Sequence, residues 1–298
     1  MMVLGTTTED YLTQVIDGLG SGAVLFLIAS GLTLIFGALR VINFAQGGLF
    51  LIGAYLTYSF QNELGFSNAM FWVVVLLASI AVALCGLGLE VGFFRPIYKR
   101  NVLTQLLVTF GFAFVITGLI RLEITGGGTS TKGPPPFLSG HVNFGLQTVT
   151  YTKFFDMGMA IAVAVGLWAL MYRTGLGRMI RAAVSDPQLL ALSGVNVRLL
   201  YTGVFMIGAF LAGIAGGLFT FEGGIQPTNG DIIIDAFIVV VLGGLGSIKG
   251  AFIAAMLVGV FEGLGTLWLP EANIAIVYAI LVVVLAIRPQ GLFGARTA

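Results

Sequence analysis

Leu199 to Phe221 reads LLYTGVFMIGAFLAGIAGGLFTF, and no charged side chain interrupts it between Arg198 and Glu222. A helix of about twenty apolar residues crosses roughly 30 Å of hydrocarbon. This run is long enough, and the chain repeats the pattern. Similar runs lie near 12–39, 44–61, 70–94, 102–125, 153–172, 232–246, 250–268 and 273–287, making nine predicted crossings. A membrane β-barrel would show alternating segments of about ten residues instead. The fold class is therefore an all-α polytopic membrane bundle of about eight to ten helices. Composition agrees, since 58% of residues are hydrophobic and only 9% charged, with a mean hydropathy of +1.03. Soluble domains carry about a quarter charged residues, so most of this surface faces lipid.

The connections are short except for 126–152, which holds Gly126-Gly127-Gly128 and Pro134-Pro135-Pro136. No segment is rich enough in charge to form a soluble domain, so 1–298 reads as one membrane domain. Basic residues mark the cytoplasmic side of a membrane protein. With the N-terminus outside, Arg40, Arg95, Lys99, Arg100, Arg173, Arg178, Arg181, Arg198, Lys249, Arg288 and Arg296 fall inside. Only Arg121, Lys132 and Lys153 fall outside. That split predicts a periplasmic N-terminus and a cytoplasmic C-terminus. Glu9 and Asp10 precede the first run where a signal peptide would be basic, so the first span is expected to stay.

Charge and cysteine content exclude several functions. The net charge of +1 offers no basic patch for nucleic acid, and Cys85 is the single cysteine. His141, the sole histidine, sits in the long outer loop and cannot build a metal site alone. Leu242 to Gly250, LGGLGSIKG, invites comparison with a phosphate loop. Ile248 stands where the residue before Lys249 must be glycine, and the dinucleotide fingerprint fails at Lys249. The segment reads as a tight turn, and the chain has no visible means of hydrolysing ATP. No Ser/His/Asp or Cys/His set can assemble across the membrane, which predicts a transport subunit rather than an enzyme.

Two polar interruptions point to function. The first is GALRVINFAQGGLFLIG (37–53), where Asn43 and Gln46 stand beside Gly47 and Gly48 between two apolar runs. A broken helix is tolerable in a membrane where it lines a cavity or is buried in protein. An ordinary turn between two spans is the alternative. The second is RTGLGRMIRAAVSDPQLLALSGVNVR (173–198) on the basic side. Asp186 suits a helix cap, Pro187 a first helical position and Gly194 the residue after the end. That predicts a helix over about 187–193 with Leu189, Leu190 and Leu192 as its apolar surface, either docking a cytoplasmic partner or lying on lipid.

Among ionisable groups, Glu262 lies mid-span among Val260, Phe261 and Leu264. Intramembrane acids are costly, so Glu262 either faces a watery cavity and meets an ammonium or satisfies a neighbouring helix. Asp231 and Asp235, one turn apart, read as a docking edge or solvated helix start near the outer face. Glu90, one turn before Arg95, reads as its neutralising partner.

Taken together, five segments resemble the shorter of the two permeases of branched-chain amino acid ABC importers. They are GLTLIFGALRVINFAQGGLFLIGAYL (31–56), GLGRMIRAAVSDPQLLALSGVNV (175–197), VVLGGLGSIKGAF (240–252), VGVFEGL (258–264) and RPQGLFG (288–294). The resemblance covers nearly the whole chain and implies the large-permease importer fold, similar to that of cobalamin importers. It implies a second homologous permease in a heterodimer, two cytoplasmic ATPases that bind ATP and magnesium, a periplasmic solute-binding protein and a bacterial inner-membrane location. It assigns Asp186 to Gly194 as the ATPase-coupling helix, with no cofactor in this chain. The family usually has histidine at the position of Gln46 and often an acid at that of Gly48. Those departures leave branched-chain or other hydrophobic amino acids beside urea, short amides and aromatic acids as solutes. Asn43, Gln46, Gly47, Gly48 and Glu262 are the expected pathway residues. An ion-coupled carrier or channel is the alternative of another class, and it would leave the capped helix without a role.

Overall fold

The computed structural model describes residues 8–62, 70–98, 100–123, 134–144, 147–223, 225–268 and 273–294. Lys99, Lys132, Arg296 and the Gly126–Gly128 run lie outside them. In order, the helices are α1 (Thr8–Leu39), α2 (Ala45–Asn62), α3 (Phe71–Leu89), α4 (Val102–Glu123), α5 (Tyr151–Arg173), α6 (Gly175–Ser185), α7 (Pro187–Leu192), α8 (Val197–Gly223), α9 (Ile232–Gly243), α10 (Ile248–Trp268) and α11 (Asn273–Ile287). A hairpin of β1 (His141–Phe144) and β2 (Gln147–Thr150) occupies part of the predicted loop. Each of the nine predicted crossings has its helix. α1, α3, α4, α5, α8 and α10 are long and apolar enough to span a membrane.

α1 is the axis. α10, α8, α5 and α9 all pack on it, and Ala23, Phe26, Leu27, Ile28 and Ala29 are wholly buried. In lipid there is no hydrophobic force between helices, so close contact must come from small side chains. α1 supplies Gly18 and Gly22, and α10 supplies Gly259 and Gly263, each pair four residues apart. A methyl group on Gly22 would lie 2.6 Å from the Ala255 carbonyl oxygen. One on Gly259 would strike the Gly18 carbonyl. The two backbones therefore touch, and only glycine permits it.

Two helices start inside the bundle. α9 has 12 residues, about 18 Å, too short for the hydrocarbon. A 3₁₀ turn, Pro227–Asp231, precedes it, because Pro227 lacks the N–H that a longer helix would need there. α2 also begins deep. Its Gln46 donates to the Gly208 carbonyl at 2.7 Å, about 16 Å along α8 from Val197. The non-helical residues Arg40 to Phe44 climb that distance from the end of α1. α2 then runs away from the basic end, and α9 runs toward it.

Arg40, Arg95, Arg198, Lys249 and Arg288 gather at one end. Arg40 reaches Val184 O at 3.5 Å, Gly246 abuts Gly37, and Leu292 N donates to Leu242 O at 2.8 Å. Lys153 lies well toward the other end, bonded to Ser21.

Gly259→Val should drive α1 and α10 apart and destabilise the protein by about 1–3 kcal/mol. Thermal unfolding in detergent checks this, with Gly111→Ala as the control, since nothing lies within 4 Å of a methyl group there.

Candidate translocation and coupling sites

The chain is non-helical from Arg40 to Phe44, α2 begins at Ala45, and Asn43, Gln46, Gly47 and Gly48 are all buried. Asn43 caps α2, its Oδ1 accepting from Ala45 N at 3.1 Å. Gln46 is spent on structure. Its amide ties α2 to Gly208 of α8 and fills the space beside Gly31. Gly47 lets α2 meet the start of α9, since a methyl group there would lie 2.5 Å from Gly230 O and 2.8 Å from Ile233 Cβ. Gly48 faces Ile116 of α4, 2.8 Å from where its methyl would be. Asn43 Nδ2 and Gln46 Oε1 are buried with no hydrogen-bond partner. The four residues make a junction where two helix starts meet, and none of them lines a described cavity.

Glu262 lies elsewhere, toward the opposite end. It borders a cavity of about 200 Å³ with Asp235 of α9, Ser21, Val24 and Leu25 of α1, and Phe219 of α8. Ser21 and Leu25 lie further from the basic end of α1 than Gly31, so this cavity is displaced outward from Gln46. The structure does not bring Glu262 to Asn43 or Gln46. It brings Asp235 to Glu262 instead, which corrects the docking-edge reading of Asp235. Asp231, one turn earlier, is exposed as expected. Lys153 of α5 donates to Ser21 at 3.1 Å beside this cavity. Asp235 stands alone among apolar neighbours in the run IIIDAFIVVV (232–241), and that isolation was the signal that marks it.

At the basic end, residues 173–198 form two helices rather than the one predicted. α6 presents Ile180 and Ala183 inward against Leu34, Ala38 and Leu200. Thr174 caps it, accepting from Gly177 N at 3.2 Å. α7 is the predicted short helix. Asp186 Oδ1 accepts from Gln188 N and Leu189 N, both at 2.9 Å, Pro187 opens it, and Gly194 takes a φ of 87° beyond its end. Leu189 and Leu192 are 65% and 85% exposed. Leu190 is half-buried, packing on the cluster that holds Ile180, Ala183 and Leu200 while bordering the same concavity as Leu189 and Leu192. A concavity of about 600 Å³ runs between α6 and α7, lined by Ala182, Asp186, Leu189 and Leu192.

One network went unread beyond its first pair. Glu90, 1% exposed, sits in a π-helical turn (Glu90–Phe94) at the end of α3. Arg95 Nη2 donates to Glu90 Oε2 at 3.0 Å and to Thr202 Oγ1 at 2.7 Å. Thr202 donates on to Glu90 Oε2 at 2.9 Å, which clamps α3 to the base of α8. Burial, and then the Glu90 carboxylate, push the Tyr98 phenol well above its ordinary value, so it remains protonated.

A bundle of membrane-length helices with two that start inside it, polar groups in its interior and a short capped helix standing out at one end is built as a polytopic membrane protein. Residues 14–285 match the family described as "Branched-chain amino acid transport system / permease component", and the chain belongs to that family. It is 30% identical over 297 residues to the high-affinity branched-chain amino acid transport system permease protein BraD of Pseudomonas aeruginosa, covering 95% of this chain and 96% of that one. It is 29% identical to LivH of Salmonella typhimurium, with the same coverage. The Escherichia coli permease protein LivM is 27% identical across 90% of this chain and 67% of its own length. A solved structure, PsaBC from Streptococcus pneumoniae in complex with Fab, aligns at 13% identity with a TM-score of 0.49, covering 92% of this chain and 91% of that one.

Gln46→Met should keep the shape of the junction while removing the interhelical bond to the Gly208 carbonyl, which retains its partner within α8. The expected loss is about 0.5–1.5 kcal/mol, read by unfolding in detergent, with normal membrane insertion.

Proposed function

We propose that this permease carries a branched-chain or other hydrophobic amino acid inward as one of two related membrane subunits of an ATP-driven importer. The observation that carries the reading is the family match across nearly the whole chain, joined to an outward-facing capped helix at the basic end. In this reading the basic end is cytoplasmic, the membrane is a bacterial inner membrane, and the N-terminus is periplasmic. Two cytoplasmic ATPases bind ATP and magnesium, and a periplasmic binding protein delivers the solute. LivM, a second permease similar to this chain, supports pairing with a related subunit.

The geometry suits the division of labour. Leu189 and Leu192 offer apolar anchors on a helix held away from the bundle, while Leu190 and α6 fasten that helix to α1 and α8. Movement of an ATPase against α7 would thus reach the bundle through its axis. Asp235 and Glu262 face a cavity large enough for a small amino acid's ammonium end. A neutral urea or amide can donate hydrogen bonds to the two carboxylates but brings no charge to balance them, and an aromatic acid would be repelled by them. Asn43, Gln46, Gly47 and Gly48 act as the hinge of the pathway, holding α2 and α9 together where both begin.

Leu189→Asp combined with Leu192→Asp should abolish co-purification of the ATPase while leaving thermal stability unchanged. Leu190→Asp should destabilise the permease itself, because it buries a charge. Retention of the ATPase by the double variant would refute the coupling assignment.

Asp235→Asn with Glu262→Gln should reduce uptake of ammonium-bearing solutes at least tenfold in reconstituted vesicles, with normal basal ATP hydrolysis. Unchanged uptake at normal protein levels would remove the pair from the pathway.

A further inference from the structure

A groove opens at the basic end, where α5, α6, α1 and the α9–α10 turn come together. One part, about 310 Å³, is bounded by Ala164, Trp168, Phe252 and Ile253, with Ser247 and Lys249 at its basic end. The other, about 370 Å³, is bounded by Thr33, Gly37, Ile180, Arg181 and Ser185. Both are lined by Met171, Tyr172, Gly246 and Ile248, so they are two reaches of one groove. Trp168, Ile253 and Tyr172 are exposed at its mouth, on the lipid-facing surface of the spans.

The lining is amphiphilic. Its apolar wall lies between α5 and α10, at the depth of acyl chains. Its polar end carries Arg181 and Lys249, and none of the residues lining either part is acidic. Arg173 lies 5.5 Å over the Trp168 ring and Arg181 5.2 Å over that of Tyr172. These contacts hold both guanidiniums at the level of the interfacial aromatics. Lys249 forms no ion pair among the described residues. The Thr33 hydroxyl, 1% exposed, has no hydrogen-bond partner and borders the second part.

We propose that this groove is a binding site for one anionic phospholipid. Its acyl chain lies along Trp168, Phe252 and Ile253, and its phosphate meets Lys249 and Arg181, with the Ser247 and Thr33 hydroxyls as donors. Basic pockets between spans at the cytoplasmic surface suit such headgroups. An amino acid in transit would find no carboxylate here for its ammonium, and a packed helix would require small residues where Trp168 and Tyr172 stand. The site lies behind the coupling segment, because Arg181 and Ser185 belong to α6, whose other side borders α7. A bound lipid would brace α6 against α1 and stiffen the base of the docking helix.

The inference takes the basic end as the cytoplasmic leaflet, as proposed above. Its test reads lipid contact directly, so its outcome does not depend on which solute is carried. The full chain, with Trp72→Phe and Trp268→Phe so that Trp168 is its only tryptophan, is reconstituted in phosphatidylcholine vesicles. Brominated phosphatidylglycerol or brominated phosphatidylcholine is then added at equal mole fraction. Phosphatidylglycerol should quench Trp168 preferentially, and Lys249→Gln should lower that preference about fivefold, near the effect of one basic residue at a membrane surface. Arg181→Gln should do likewise, whereas Arg181→Lys should keep it. Equal quenching by the two lipids in the parent protein would overturn the proposal. So would a preference that survives both glutamine variants, or one abolished by saturating inorganic phosphate, which would mark a simple ion site.

Discussion

Everything in this bundle depends on backbone meeting backbone between α1 and α10. Gly18, Gly22, Gly259 and Gly263 remove the side chains that would hold the two helices apart, so dispersion acts at its shortest range where no hydrophobic force is available. The same device recurs wherever an interrupted helix must fit. Gly47 admits Gly230, and Gly53 of α2 lies against Gly213 of α8. Glycine's abundance is therefore concentrated at the contacts that define the architecture. Gly88, Gly111, Gly118 and Gly166 meet nothing within 4 Å and contribute little to it.

Once α1 is fixed as the axis, the two working regions follow at different depths. The clamp of Glu90, Arg95 and Thr202 joins α3 to the base of α8, and α6 and α7 lead directly into that same base. The acidic cavity lies beside the first turn of α9, where Ser21 and Leu25 of α1 and Phe219 of α8 close it. Its walls come from α1, α8, α9 and α10, so a shift of α8 relative to α1 changes its shape.

The parts legible in the sequence are those governed by near neighbours. Apolar runs bounded by charge give the crossings, and Asp186, Pro187 and Gly194 give α7 because capping is decided within a few residues. Glu90 finds Arg95 five residues away. Other parts rest on partners that periodicity cannot reveal. Gln46 reads only as a polar side chain between two apolar runs until its acceptor, 162 residues distant, shows that it ties α2 to α8. Asp235 looks like an outer edge until Glu262 and Ser21 arrive from two other helices. Leu189 and Leu190 are equally apolar, and only tertiary packing leaves Leu189 exposed and Leu190 half-buried against the cluster beside α6 and α8. The run 232–246 hides the shortness of α9, because its apolar stretch continues into the Gly244–Gly246 turn.

The back-to-back start of α2 and α9 also shapes the electric field inside the bundle. Each helix start carries roughly half a positive elementary charge, and the contact of Gly47 with Gly230 sets the two at one depth. Asp235 lies in the first turn of α9 and offsets its end. The first turn of α2 has no acid. The junction therefore keeps a positive potential on the α2 side, in a medium too poorly polarisable to screen it. A potential of that sign favours anions over cations beside the start of α2.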